Sequence, residues 1–94
     1  MTRFLVRLLA AAAFVSAVPA LAAERTVTLA VDNMTCELCP PIVKKSLARV
    51  PGVAKTDVSA ERHTATVVFD DRKTTVAALV AATTNAGYPS RPVQ

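Results

Sequence analysis

Pro40 and Pro41 stand side by side directly after the second of two cysteines, Cys36 and Cys39. Two consecutive prolines leave a chain few choices. Neither can donate to a sheet ladder, so no central strand runs through them. Both fit the first turn of a helix, where a missing N–H is not needed. Beyond them apolar residues recur at Val43, Leu47 and Val50, while Lys44, Lys45 and Arg49 fall mostly off that stripe. The spacing predicts an amphipathic helix over 38–49, stopped by Pro51-Gly52. Ahead of the cysteines, Val27, Leu29 and Val31 alternate with Thr26, Thr28 and Ala30. That period predicts a half-buried strand over 26–31, closed by the turn formers Asp32 and Asn33. The stretch from Asn33 to Pro41 is thus where a strand period gives way to a helix period, and it holds both thiols.

The rest of the chain repeats the theme. Residues 53–60 alternate weakly, with Ala54, Thr56 and Val58 opposed to Lys55, Asp57 and Ser59. Glu61-Arg62-His63 is a short polar connection, and residues 64–69 place Ala65, Val67 and Phe69 on one face. Two strands across so short a loop predict an antiparallel hairpin. After the charged turn Asp70-Asp71-Arg72-Lys73, Thr74 or Thr75 caps a second helix with Val76, Leu79, Val80 and Thr83 as its stripe. Gly87 stands where a left-handed C-cap is wanted. Residues 88–93 carry Pro89 and Pro92, so any strand there is an edge strand. Strand, helix, strand, strand, helix, strand is the ferredoxin-like βαββαβ order. It predicts an α+β domain: an antiparallel four-stranded sheet with both helices on one face. At about 70 residues the core is thin, so stability is modest and bound metal adds to it.

The N-terminus stands apart. Met1 to Arg7 carries two arginines and no acid, and 8–18 is an Ala- and Leu-rich apolar run broken only by Ser16. Pro19 follows, then Ala20-Leu21-Ala22, a small-x-small cleavage signature. This is the layout of a secretory signal peptide. A spanning helix needs roughly 20 apolar residues, more than this run offers. Residues 1–22 are therefore read as a signal peptide, cleaved after Ala22 or alternatively Ala23, and 23–94 as the working domain with no stable membrane insertion. Losing Arg3 and Arg7 with the leader reduces the formal charge from +4 to about +2. Such a mild and unclustered charge argues against nucleic acid as a partner.

An exported cysteine pair can become a disulfide. Across two intervening residues, however, the closed loop is small and the bridge stabilises little. The spacing serves better as a chelate or a redox pair. A helix N-terminus presents unpaired N–H groups and partial positive charge, which favour thiolate over thiol. Two soft thiolates select soft ions such as Cu(I) and Hg(II). A closed zinc site would need more ligands, and the one histidine, His63, reads as a solvent-exposed loop residue. Two-coordinate binding of an ion that accepts linear geometry fits Cys36 and Cys39, and leaves an incoming thiol room to remove the ion. The rival is thiol–disulfide oxidoreduction, since Cys-x-x-Cys at a strand-to-helix turn is also the thioredoxin arrangement. The element order after the motif speaks against it. Met34 is read as packing under the loop rather than as a thioether ligand. Tyr88 either reaches the cysteine loop or packs at the sheet edge.

Met34-Thr35-Cys36-Glu37-Leu38-Cys39 resembles the Met-x-Cys-x-x-Cys motif of the heavy-metal-associated domains, a family that includes copper chaperones and the N-terminal domains of metal-pumping ATPases. The likeness spans nearly all of 23–94. Thr26-Val27-Thr28-Leu29, Cys39-Pro40, Val43-Lys44-Lys45, Phe69-Asp70-Asp71 and Ala86-Gly87-Tyr88-Pro89-Ser90 are most similar to the periplasmic mercuric-ion binders within that family. The resemblance implies a monomeric periplasmic carrier and no covalent turnover. It implies that Cys36 and Cys39 hold one Hg(II) as a linear dithiolate and pass it to an inner-membrane mercuric transport protein. A periplasmic Cu(I) chaperone on the same fold is the alternative. Two departures stand out. Asn33 replaces the Gly common before the motif's Met, which makes the loop backbone less free. Glu37-Leu38 replaces smaller residues, and Glu37 brings a negative charge near the thiolates.

Overall fold

The computed structural model describes residues 23–93; the leader expected over 1–22 lies outside them. The elements follow the expected order: β1 (Glu24–Val31), α1 (Cys39–Ala48), β2 (Val53–Ser59), β3 (Thr64–Asp70), α2 (Val76–Asn85) and β4 (Ser90–Pro92). The strands form one antiparallel sheet in the order β2-β3-β1-β4, so the two best-patterned strands are central and the proline-bearing β4 is an edge. This is the ferredoxin-like α+β arrangement. The core is built from one face of each central strand, Val27, Leu29 and Val31 with Ala65, Val67 and Phe69, closed by Val43, Leu47 and Leu79 from the helices. The opposite face carries threonines, with the Thr28 and Thr66 hydroxyls 3.4 Å apart across the β1–β3 pair.

Three local features differ from, or refine, the sequence reading. Strand β1 starts two residues earlier, because Glu24 and Arg25 pair with Asp70 and Phe69 although neither is apolar. In β2 the register shifts between Val53 and Lys55. This bulge turns Val53 toward the core and leaves Ala54 exposed, so the inward set is Val53, Thr56 and Val58 rather than one begun by Ala54. Bulges of this kind break a strict two-residue period. The cap of α2 is Thr75, whose hydroxyl accepts the Ala78 N–H at 3.1 Å, while Thr74 is buried.

Helix α2 ends as its sequence predicts. Gly87 has φ +102°, the Gly87 N–H donates to the Thr84 carbonyl, and the Tyr88 N–H donates to the Thr83 carbonyl. These two bonds make a Schellman cap. They turn the chain into β4, where the buried Thr83 hydroxyl meets the Ser90 hydroxyl at 2.7 Å. The edge strand is thereby tied to the helix that precedes it. The 60–63 connection and the end of β1 lie at one end of the sheet, where Val31 N–H donates to the His63 carbonyl at 2.8 Å. His63 itself is exposed, with φ +56°. That end is also where the cysteine loop leaves the sheet. Among the described residues, no helix is long and apolar enough to cross a membrane.

Candidate metal centre

The loop from Asp32 to Leu38 is fixed at its entry. Asp32 N–H donates to the Pro89 carbonyl at 2.8 Å, and the Asp32 carboxylate lies 3.3 Å from the Arg91 guanidinium. The ion pair is exposed and contributes little by itself; the backbone bond sets the direction. Asn33 follows with φ +68°. Its left-handed backbone explains why a glycine suits this position, and Asn is the side chain that adopts it most readily after Gly. The Asn33 amide also donates to the Gly87 carbonyl at 3.3 Å. The end of β1 and the end of α2 therefore meet. Tyr88, next to Gly87, is half-buried and packs against the core cluster, which includes Met34 and Cys39. Replacing Asn33 by Ala is expected to cost about 1 kcal/mol, from left-handed strain plus the lost bond, whereas Asn33→Gly stays within about 0.5 kcal/mol. Urea unfolding of the two variants checks this.

Met34 is buried at 4% exposure and belongs to the core cluster. It anchors the loop from beneath, in the same core cluster as Cys39. The two cysteines are joined as a disulfide, with Cα atoms 5.2 Å apart. Their environments differ sharply: Cys36 is exposed, and Cys39 is buried at 4% exposure as the first residue of α1. Cys39, Val43 and Leu47 form one inward stripe, so the second sulfur is held by the same packing that seats the helix.

The electrostatic support for the sulfurs is placed differently from the sequence expectation. The free N–H groups at the start of α1 are few. Pro40 and Pro41 have none, the Cys39 N–H donates to the Cys36 carbonyl, and the Ile42 N–H donates to the Leu38 carbonyl. The donor aimed at sulfur comes from the loop: the Cys36 N–H reaches Cys39 Sγ at 3.2 Å. When the pair is reduced, a donor in this position favours the charged sulfur over the neutral thiol. The helix macrodipole adds to it.

Among the described residues, no group of three or more His, Cys, Asp or Glu side chains is gathered as a metal site. The soft donors the loop could offer an ion are two sulfurs, one sheltered and one open to solvent. Such a pair suits a soft ion that accepts two ligands, and it leaves one side of the ion open to an incoming thiol. Leu38 was noted in the sequence only as larger than the family's usual residue, and Ile42 was not singled out, yet both are exposed beside this opening, at 69% and 43%. The signal was available: both are apolar and both fall off the Val43–Leu47 stripe.

Residues 28–89 match the family model described as the heavy-metal-associated domain. The chain is 56% identical over 82 residues to a protein of Acinetobacter calcoaceticus named mercuric transport protein periplasmic component, covering 87% of this chain and 88% of that one. Oxidised MerP from Ralstonia metallidurans CH34 superposes with a TM-score of 0.75 at 53% identity, covering 77% of this chain and all of that structure. A mercury-bound form of MerP, the periplasmic protein of a bacterial mercury detoxification system, superposes with a TM-score of 0.69 at 54% identity over the same shares.

Proposed function

The chain belongs to the heavy-metal-associated domain family, and on that premise we propose that it is a periplasmic mercury carrier. Residues 1–22 direct export and are removed near Ala22. The domain that remains binds one Hg(II) through the thiolates of Cys36 and Cys39, and no other residue contributes a ligand. The observation that carries this reading is the two-sulfur donor set, one sulfur exposed and one buried, in a chain more than half identical to a named mercuric transport component.

The cycle begins with reduction. A dithiol reductant attacks the disulfide at its exposed sulfur, leaves as its own disulfide, and delivers two electrons and two protons to the pair. Hg(II) then replaces the protons and is held linearly between two sulfurs. Release is a ligand exchange: a thiolate of the inner-membrane mercuric transporter attacks the metal, one cysteine leaves, and a second exchange frees the other. Cys36 leads at each step because it is the sulfur that solvent and partners reach. Oxidation states do not change during transfer, and the chain performs no covalent turnover of its own.

Cu(I) competes for the same two ligands, so ligand count does not separate the two cargoes. Competition does. Reduced protein mixed anaerobically with equimolar Hg(II) and Cu(I) is expected to retain Hg(II), one ion per chain. Retention of Cu(I) with ready loss of Hg(II) to a small thiol would overturn the mercury reading. Catalytic turnover in disulfide exchange on a reduced protein substrate would overturn the carrier reading and favour an oxidoreductase.

A further inference from the structure

We infer that Glu37, the residue after the first cysteine, is a specificity-determining residue: its carboxylate favours a doubly positive cargo over a singly positive one. The inference rests on the carrier reading and deepens it, because it separates two ions that the same pair of sulfurs accepts.

The argument starts from charge. Two thiolates carry two negative charges. Hg(II) between them leaves a neutral centre, whereas Cu(I) leaves a centre with one negative charge. The sulfurs do not distinguish these products by ligand number, but a fixed charge beside them does. Glu37 stands between the two cysteines in the chain. It is exposed, and among the described residues its side chain has no hydrogen bond or ion pair. No cation neutralises it.

The other charges around the loop leave Glu37 uncompensated. Asp32, at the loop entry, has its own partner in Arg91 at 3.3 Å. Residues 33–39 contain no charged side chain besides Glu37. On α1 the first cation is Lys44, five residues past Cys39 and about 7.5 Å further along the axis. Glu61 and Arg62, in the hairpin at the same end of the sheet, are both exposed and opposite in sign. The positive end of α1 acts against Glu37, but its first N–H groups are missing at Pro40 and Pro41 or bonded to carbonyls at Cys39 and Ile42. All of these charges stay in place when Glu37 alone is changed.

Adjacent residues are close enough for a glutamate carboxylate to come within about 7 Å of an ion held by its neighbour. At that distance in water, one unit of charge changes an equilibrium about threefold at low ionic strength. The two loaded centres differ by one unit, so Glu37 weights the site about threefold toward Hg(II). Whatever Glu37 does to the empty thiols is common to both ions and cancels in this ratio. The selectivity therefore does not depend on how the empty site holds its protons.

The test uses the reduced mature chain and its Glu37→Gln, Glu37→Lys and Glu37→Asp variants, kept anaerobic at one pH. Hg(II) affinity is measured against dithiothreitol and Cu(I) affinity against bicinchoninate, each relative to wild type at the same salt. Glu37→Gln is expected to lower the preference for Hg(II) over Cu(I) about threefold at low salt, and Glu37→Lys, a change of two units, about tenfold. Glu37→Asp keeps the charge and should stay within about twofold of wild type. Both shifts should fade in about 1 M sodium nitrate, where the Debye length is about 3 Å; nitrate is chosen because chloride complexes Hg(II). An unchanged preference in Glu37→Gln and Glu37→Lys would overturn the proposal. Loss of affinity for both ions by the same factor would also overturn it, by assigning Glu37 to the shape of the loop, and so would a shift that salt does not diminish. These outcomes leave the carrier reading standing. A wild type that takes up no Hg(II) would overturn that reading and the role of Glu37 with it.

Discussion

Cys36→Ser is expected to weaken Hg(II) binding by at least about 100-fold, more than the loss of a group outside the ligand ring costs. Serine puts a hard hydroxyl where a soft thiolate stood, and a soft ion does not accept it as an equivalent. Cys39→Ser should weaken binding comparably, because the proposed site has only two ligands. The two variants should nevertheless behave differently toward thiol reagents. Cys36→Ser leaves a lone thiol at Cys39, which is only 4% exposed. Cys39→Ser leaves a lone thiol at the exposed Cys36. Alkylation with iodoacetamide should therefore run several-fold slower in the first variant than in the second. Equal rates would remove the reason for assigning Cys36 the lead in exchange. The variants also isolate the cysteines from the fold. Neither change deletes a large core side chain, so both proteins should unfold cooperatively in urea.

Leu29→Ala is expected to destabilise the domain by about 2–5 kcal/mol, the range for removing a fully buried leucine and leaving a cavity. Leu29 has 0% exposure and sits on a central strand, paired with Ala65 of β3 on one side and Pro92 of β4 on the other. A domain of this size has a total stability of about 4–10 kcal/mol, so one such change removes a large share of it. Urea unfolding of the reduced, metal-free form should show a much lower midpoint with the slope unchanged. Hg(II) should restore part of the loss, since an ion that binds only the folded form adds to its stability. The effect would also reach the metal site. Leu29 shares its strand with Val31, and β1 leads directly to Asp32, whose N–H fixes the entry to the cysteine loop. A loop hung on a loosened strand should hold the ion less tightly even before the domain unfolds.

Most of the fold was legible because the chain's periods are clean. Val27, Leu29 and Val31, and Ala65, Val67 and Phe69, alternate without error, and all six are buried. Pro40-Pro41 and Gly87 each mark a helix boundary for a local reason that needs no tertiary context, while the choice of Thr75 over Thr74 as cap came from the structure. The misread residues are those whose positions tertiary pairing decides. Glu24 and Arg25 join β1 because β3 is long enough to pair with them, and Ala54 turns outward because of a bulge that no period announces. At the site, the sequence placed both cysteines at the strand-to-helix junction and Met34 beneath the loop, and the structure has them there. It did not give the source of the donor to sulfur. The sequence placed that donor at the helix start, but Pro40 and Pro41 in the first turn have no N–H, the Cys39 and Ile42 N–H groups bond to backbone carbonyls, and the loop amide of Cys36 reaches the sulfur. Asn33 shows the reverse case. Read as a less free substitute for glycine, it adopts the left-handed backbone that glycine would and adds a bond to Gly87.

The most direct measurement is a titration of the 23–94 chain with Hg(II), followed by ultraviolet absorption of the mercury–thiolate bond, on reduced and oxidised protein in parallel. The reduced chain should saturate at one ion per molecule, with both thiols lost to a thiol-counting reagent. The oxidised chain, its sulfurs already joined, should take up none. Uptake by the oxidised protein, or saturation of the reduced protein at one ion for every two chains, would contradict a carrier that holds its cargo between Cys36 and Cys39 alone.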